Sequence, residues 1–236
     1  MKIAALDVET LDEVVFLEDH TIQLPVALSC VAIGWQHQAD RPIKYRVWRE
    51  PSASAIVEMV VKLEGLLNAG YTVCTANGTY FDFPVLSGLN QNMAERLRNI
   101  AWRHSDFTLT AVARYGYPVG LGTLSGTKMT EMHLSDGTVI TEFSGALAPR
   151  LWREGFQEDV IRYLKQDVAS TVQVAKTGIE RGFIGWLNKI GGMHAIPLHN
   201  KTEHWTVQQV ATWPVLEGKP FTLDRALWWL RPRSLE

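Results

Sequence analysis

Two acidic residues near the start of the sequence have the type and spacing that metal binding requires. Asp7 and Glu9 lie in an apolar run at residues 2–9 that predicts a β-strand. Residues two apart in a strand share a face, so the two carboxylates point the same way. Burying such a pair is costly unless a cation or hydrogen-bond donors compensate, and a divalent metal ion is the natural partner. A strand end at which acids simply meet solvent is the alternative explanation.

A phenol and a further carboxylate come together in the second half of the sequence. The periodicity of residues 159–180 predicts the longest helix of the chain, which ends at Gly182. Tyr163 and Asp167 are four residues apart in this helix and therefore share one face. Taken alone, the pair is also explained by an ordinary solvated helix face.

Another acid follows a predicted strand at residues 71–76. In the segment Asn77-Gly-Thr-Tyr-Phe81-Asp82-Phe-Pro84, the proline stands where a helix would begin, and Asp82 is placed to cap that helix. A structural N-cap explains the acid and the proline. It gives no reason for Asn77 or Phe81.

Together these segments resemble the three motifs of the DnaQ-like exonuclease superfamily, in its tyrosine-type (DEDDy) branch. The resemblance covers about residues 1–181. The histidine-type branch would place a histidine five residues before the last acid, where this chain has Arg162. Stand-alone relatives of the proofreading domain of family-B DNA polymerases have elements similar to His104-Ser-Asp106-Phe107 and Leu121-Gly-Thr-Leu124. The matching motifs are Asp7-Val-Glu9-Thr10, Asn77-x4-Asp82 with Phe81 beside the acid, and Tyr163-x3-Asp167.

The resemblance implies a metal-dependent 3′-to-5′ exonuclease that hydrolyses single-stranded DNA and releases nucleoside monophosphates. It implies two Mg²⁺ or Mn²⁺ ions per active site, the metals that oxygen ligands favour. Two alternatives stay open. One is a ribonuclease of the same family, because contacts to the 2′-hydroxyl cannot be read from sequence. The other is a catalytically silent module that binds nucleic acid or a protein.

The resemblance also assigns roles to individual residues. In the implied site Asp82 acts mainly through water, and Tyr163 orients the attacking water. The implied metal ligands are Asp7, Glu9 and Asp167, with Asp7 bridging the two ions. The residues implied to contact the terminal nucleotide are Thr10, Asn77 and Phe81.

The elements that must position these residues predict an α/β layer architecture with a mixed sheet. Three strands, at residues 2–9, 27–35 and 43–48, form an antiparallel meander and precede a helix at residues 54–68. An interrupted helix follows at residues 83–103, and residues 116–145 predict loops with short elements. The resemblance implies an RNase H-like sheet flanked by helices at residues 1–182, with residues 183–236 as an extension packed on or beside it.

Bulk properties indicate a soluble globular protein. The 236 residues are 46% hydrophobic and 20% charged, which is near the average for globular domains. No apolar stretch has the roughly 20 residues that span a bilayer, and the first residues run into a strand pattern, so we expect no membrane and a cytoplasmic location. A net charge of −2 excludes a strongly basic surface for nucleic acid but permits a local groove. Cys30 and Cys74 lie in apolar runs and predict reduced core residues.

Other signals are weaker. Trp102 and Trp152 lie beside arginines and are candidates for base stacking, although snorkelling surface helices explain them as well. Lys128 follows glycines without the spacing of a phosphate-binding loop. We predict no zinc site from the histidines that recur every five residues, because five is not a helical repeat: His194, His199 and His204.

Overall fold

The structure, a computed structural model, describes residues 1–126, 131–141, 145–188, 190–219 and 221–231. Its strands are β1 (Ile3–Thr10), β2 (Leu28–Gln36), β3 (Lys44–Arg49), β4 (Thr72–Thr75), β5 (Ser105–Asp106), β6 (Glu131–His133), β7 (Val139–Thr141), β8 (Phe183–Leu187) and β9 (Met193–Pro197). Its helices are α1 (Ala53–Asn68), α2 (Asp82–Leu89), α3 (Ala94–Arg103), α4 (Phe107–Tyr115), α5 (Leu121–Ser125), α6 (Ala148–Arg153), α7 (Gln157–Arg181), α8 (Val207–Val210) and α9 (Leu223–Ala226).

Five of these strands form one mixed sheet in the order β3-β2-β1-β4-β5. β1 and β3 pair antiparallel with β2, and β4 pairs parallel with both β1 and β5. The predicted meander and the mixed α/β architecture are therefore confirmed. Since β1 and β4 are parallel, their carboxyl ends meet at the same edge of the sheet, where α/β proteins place their sites.

The central strand β1 is buried on both faces, which explains its apolar sequence. Ala4, Leu6 and Val8 enter the core formed with α1 and α3. Ile3 and Ala5 face the other way and pack with the apolar side of α7. Asp7 and Glu9 continue this second row, so the acids of β1 lie on the face that α7 covers.

A glycine sets how closely α7 approaches the sheet. Gly34 on β2 pairs with Ala5 on β1, and a Cβ atom at Gly34 would lie only 2.5 Å from Cγ1 of Val168 on α7. Any side chain at this position would push the helix away. The close approach brings the residues next to Val168 onto the sheet surface.

Most helices and strands predicted from the sequence begin and end within about two residues of their bounds in the structure, which is the usual uncertainty of such ends. The helix predicted at residues 83–103 is interrupted as expected, with a 3₁₀ turn between α2 and α3. Gly182 ends α7 in the left-handed conformation, with φ of 79°. The short strand β5 and the helix α4 were not predicted.

The segment that follows α7 packs on the core. His204 donates a hydrogen bond from Nε2 to the Ala175 carbonyl at 2.8 Å, in a space that the missing side chain of Gly178 leaves open. The backbone N–H of Val207 donates to the carbonyl of His104 at 2.9 Å. Further core contacts come from apolar residues of α8, α9 and the last described turn, namely Val207, Val210, Leu223, Ala226, Leu227, Trp229 and Leu230.

We expect Gly34→Ala to destabilise the protein by about 1–3 kcal/mol, because the added methyl group overpacks the interface with α7. Gly65→Ala is the matched control, since a Cβ there meets nothing within 4 Å and alanine favours a helix at this exposed position of α1. Urea unfolding of both variants measures the difference. Equal stability of Gly34→Ala and the parent would show that Val168 does not hold α7 at this distance.

Candidate active site

The carboxylate of Asp167 joins the two acids of β1. The contact between Gly34 and Val168 fixes the position of α7 along the sheet, so the preceding helix residue lies beside Asp7 and Glu9. Carboxylate oxygens of Asp7, Glu9 and Asp167 all lie within 4.8 Å of one another. These three acids could therefore hold one metal ion between them.

Asp82 is the first residue of α2, and its side chain does not cap the helix. The predicted N-cap role is wrong: Phe81 occupies the cap position, and no side chain caps the helix. Backbone carbonyls of the preceding loop accept the hydrogen bonds of the first helix amides instead. The N–H of Phe81 donates to the carbonyl of Asn77, and the N–H of Phe83 donates to the carbonyl of Gly78, both at 3.0 Å. Asp82 is 3% exposed and lines the site, and its buried Oδ1 has no hydrogen-bond partner in the described structure.

The loop before α2 is held by the carboxylate of Asp106, at the end of β5. Oδ1 of Asp106 accepts hydrogen bonds from the backbone N–H groups of Asn77 and Leu109, both at 3.0 Å, and Oδ2 accepts from the N–H of Thr79 at 2.8 Å. The bond from Leu109 makes Asp106 the N-cap of α4. One buried acid thus fixes α4 and the loop that carries Asn77.

A second contact holds Gly78, which lies between Asn77 and Thr79 in this loop. The N–H of Gly78 donates to the hydroxyl of Thr75 at 3.1 Å, and that hydroxyl lies 2.9 Å from Nε2 of the buried His104. A Cβ at Gly78 would lie 2.5 Å from the same hydroxyl oxygen, so only glycine fits there. Three successive backbone amides are therefore bound by side chains, which fixes the direction in which Asp82 leaves the loop.

All of the predicted site residues line one cavity of about 540 Å³. They are Asp7, Glu9, Thr10, Asn77, Phe81, Asp82, Tyr163 and Asp167. The lining also includes Glu13, Phe16, Ala146 and Pro149, and among the described residues it contains no lysine or arginine. A larger groove of about 830 Å³ lies beside α1, but its single acid, Glu58, is ion-paired with Arg46. Of these two cavities of the described residues, only the first brings several acids together.

Burial raises the pKa of every acid in the cluster, and repulsion from the neighbouring carboxylates adds to this for Asp7 and Glu9. For Asp7 and Glu9 burial is the largest cause, and the neighbouring carboxylates raise both pKa values further, well above the usual range. Burial, then the charge of Asp106, raises the pKa of Asp82 to about 8. Burial raises the pKa of Asp167 to about 6, although a hydrogen bond from Tyr163 lowers it.

Tyr163 lies against this cluster with its hydroxyl group protonated. Burial is the main reason that its pKa is raised, and the charges of Asp167 and Glu9 add to the effect. The hydroxyl is hydrogen-bonded to Asp167 one helical turn away. A neutral phenol held in this way can orient a water molecule but is a poor ligand for a hard cation.

The residues present fit a hard divalent cation. Clustered carboxylate oxygens are the donors that Mg²⁺ and Mn²⁺ prefer, and a cation would remove the repulsion that raises these pKa values. The unpartnered Oδ1 of Asp82 is a further acceptor facing the same cavity. No softer donor, cysteine or histidine, belongs to the group found among the described residues.

The sequence matches no protein-family model, and no curated protein matches it significantly. Within the described residues, no helix is long and apolar enough to cross a membrane.

Other side chains singled out in the sequence lie elsewhere. The prediction that Trp152 offers a stacking surface is wrong, because the ring is 4% exposed and its Nε1 donates to Glu50 at 2.9 Å. Trp102 is half-buried in a separate groove beside Arg103. The histidines His194, His199 and His204 have separate environments, namely an aromatic cluster, the ring of Trp205 and the carbonyl of Ala175. Cys30 and Cys74 are buried free thiols, as predicted. Lys128 is outside the described residues.

Four residues that shape the site had no role predicted from the sequence. Glu13 and Phe16 line the cavity from the connection between β1 and β2, and no periodic pattern marks them. Tyr80 supports this connection from the loop before α2. Asp106 was noted only as part of a family resemblance, although an acid just before an apolar run is a recognisable N-cap signal.

The raised pKa values predict that the metal-free protein loses stability as pH rises from about 7 to 9. In this range the folded state still holds protons on the acid cluster, whereas the carboxylates of the unfolded state hold none. Unfolding therefore releases protons, and a rise in pH favours it. The buried His104 and His204 contribute little, because their lowered pKa values keep them neutral in the folded state and unfolded histidines are largely neutral above about pH 7. Melting temperature measured in EDTA should fall by roughly 3 °C or more.

Asp82→Asn should reduce this fall in melting temperature, because it removes one of the titrating acids and its repulsion. Asp136→Asn is the control, since hydrogen bonds with Thr138 lower the pKa of that exposed acid and its titration ends well below neutral pH. If the parent and Asp82→Asn lose the same stability between about pH 7 and 9, the buried acids are not protonated as described.

Proposed function

We propose that this chain is a metal-dependent 3′-to-5′ exonuclease of the RNase H-like, tyrosine-type class, which releases nucleoside monophosphates from single-stranded DNA. The observation that carries the proposal is the convergence of β1, the loop before α2 and α7 on one cavity. These three segments bring together four carboxylates and a protonated phenol. A structural role needs no such convergence, since clustered buried acids destabilise a fold without a cation.

Asp7, Glu9 and Asp167 would hold divalent cations in this site, as Mg²⁺ or Mn²⁺, two per site. Bound cations supply positive charge that stabilises the attacking water and the leaving 3′ oxygen of a phosphodiester. Asp82 lines the same cavity and would act on the cluster mainly through water.

The remaining residues of the cavity would orient the attacking water and bind the terminal nucleotide. The Tyr163 hydroxyl, fixed by its hydrogen bond to Asp167, positions the attacking water. Thr10 follows the acids on β1, and Asn77 holds an unusual backbone conformation with φ of 80° at the end of β4. Both side chains, with Phe81, line the cavity where a terminal nucleotide would lie.

The first test uses a 5′-labelled single strand of DNA, a duplex and an RNA, each incubated with the protein in Mn²⁺. We expect a ladder of products shortened from the 3′ end on single-stranded DNA, and no products in EDTA. Ca²⁺ should support binding with little turnover, because its looser coordination misplaces the water. Undiminished cleavage in EDTA, or a preference for RNA, would change the proposed mechanism or substrate respectively.

Asp7→Ala should reduce the rate of hydrolysis by at least about 10³-fold, because it removes a ligand of the metal ions whose charge stabilises the transition state. It should not lower the metal-free melting temperature, since it relieves repulsion within the acid cluster. Asp12→Ala, five residues further along the chain and exposed, is the control. A metal-free melting temperature several degrees below that of the parent would identify Asp7 as a structural acid.

Tyr163→Phe tests the role of the phenol. Loss of a water-positioning hydroxyl should cost roughly 1.5–3 kcal/mol in the transition state, about 10–200-fold in single-turnover rate, with binding in Ca²⁺ nearly unchanged. Tyr45→Phe, on the distant strand β3, is the matched control. A rate for Tyr163→Phe within about twofold of the parent would remove this residue from the mechanism.

A further inference from the structure

A further groove, of about 660 Å³, lies between α3 and the part of the chain that follows α7, and we call it the arginine groove. Its polar and aromatic lining residues are Asn99, Trp102, Arg103, Gln208, Thr212 and Arg231. Two of these are arginines, and none of the described lining residues is an acid. The arginine groove therefore has the opposite charge to the acid cavity.

Contacts within the chain fix the position of Arg231 at one side of this groove. Its Nη1 donates to Oδ1 of Asp224 at 3.0 Å, and its Nη2 donates to the carbonyl of Ala211 at 2.9 Å. These two bonds tie α9 to the turn that follows α8. Because Asp224 offsets much of its charge, Arg231 mainly shapes the groove.

Arg103 is the available cation of the groove. It is exposed at the end of α3 and forms no ion pair with the described acids; its Nη2 lies 3.5 Å from Oδ1 of Asn68, a neutral partner. Glu64 on the neighbouring α1 is bound by Arg96 instead, at 2.9 and 2.5 Å. A guanidinium with no acid bound to it is a ready partner for a phosphate.

Trp102 places an aromatic ring beside this cation. One part of the ring packs on the core next to α1, and the rest lines the groove. Core packing holds the ring in place, so a ligand that contacts it loses little conformational entropy. An aromatic face beside a guanidinium fits a nucleotide, because the base stacks on the ring while the phosphate binds the cation. An acidic peptide has no planar group that would use the ring.

The arginine groove and the acid cavity lie on opposite sides of the sheet. Trp102 packs on the side covered by α1, whereas Asp7 faces α7. Ser105, just after α3, pairs with Cys74, which pairs with Ala5 of β1. The end of α3 therefore lies two strand spacings from β1, roughly 10 Å across the sheet. A single strand of several nucleotides is long enough to occupy both sites.

We propose that the arginine groove is a second binding site for single-stranded nucleic acid, in which Arg103 binds a phosphate and Trp102 stacks on a neighbouring base. This inference rests on the proposed function for its choice of ligand and adds to it a site away from the acid cavity. That cavity has no lysine or arginine among its described lining residues, so attraction for the phosphate backbone must come from elsewhere. A strand bound in the groove would stay on the protein between successive cleavages.

The first test measures binding in EDTA, where the acid cavity holds no metal ion and contributes little. The parent should bind a labelled oligothymidylate of about 16 nucleotides in a fluorescence anisotropy titration. Trp102→Leu keeps an apolar side chain against the core and should bind about tenfold more weakly, whereas Trp102→Phe should restore most of the affinity. Parent-like binding by Trp102→Leu would overturn the inference.

Arg103→Gln tests the phosphate contact at an exposed position, where the substitution leaves the core intact. The plot of log affinity against log salt should become less steep by about 0.7, the effect of one phosphate contact on a single strand. Arg103→Lys should keep the parent slope. Arg114→Gln is the matched control, because this exposed arginine of α4 lies outside the groove. Equal changes of slope in Arg103→Gln and Arg114→Gln would indicate general attraction and overturn the inference.

Two further probes test the class of ligand. The parent should bind a base-free phosphodiester oligomer about tenfold more weakly than oligothymidylate, whereas Trp102→Leu should bind both equally, because the base and the ring form one interaction. An oligoglutamate of the same charge should bind weakly. Binding of oligoglutamate as tight as that of oligothymidylate would identify an acidic protein segment as the ligand and overturn the inference.

The outcomes also separate this inference from the proposed function. Binding in EDTA that depends on Trp102 and Arg103, without hydrolysis in Mn²⁺, would support the second site and remove the nuclease. Metal-dependent hydrolysis with unchanged binding by both variants would leave the exonuclease intact and remove the second site. No binding of oligothymidylate by the parent in EDTA would overturn the inference.

Discussion

Repulsion among buried carboxylates is the constraint on which the rest of this structure depends. Asp7, Glu9, Asp82 and Asp167 share one cavity. Burial raises all four pKa values, and the charges of the neighbouring cluster acids raise those of Asp7 and Glu9 further. A fold with no use for these acids would place them in solvent, where they cost nothing. Here the surrounding elements hold them together, so the cluster is stable only because packing elsewhere opposes its repulsion.

Different structural features hold the acids in place. The two acids of β1 are placed by the alternation of a strand whose other residues are buried on both faces. Asp167 is held close by the missing side chain of Gly34, which lets Val168 pack on the sheet. Asp82 is directed by a loop in which Asp106 and Thr75 bind three successive amides. Rigid support of this kind is what a site with preorganised charge requires.

The sequence predicted the parts that depend on local pattern and short spacing. Alternation placed Asp7 and Glu9 on one face, and helical spacing placed Tyr163 with Asp167, as the structure shows. The N-cap interpretation of Asp82 was wrong because loop carbonyls, which no sequence pattern reveals, already bind the helix amides.

Long-range contacts account for the other differences. Trp152 was misjudged because it is buried in a core cluster formed by distant residues and donates a hydrogen bond to Glu50, 102 residues away. Phe16 was missed because an irregular connection has no period from which its orientation can be read. The strand β5 is only two residues long, so its pairing with β4 could not be predicted from local pattern.

The acidity of the cavity has one further consequence under the proposed function. A metal-free cavity with five acids and no basic side chain among its described lining repels phosphate. Metal ions must then be present before a nucleic acid can bind well, and linkage requires that the nucleic acid strengthens metal binding by the same factor. Contacts to the bases act outside this coupling, since stacking is insensitive to the charge of the cavity. Under the proposed function, the metal ions therefore control whether a strand is held in the cavity at all.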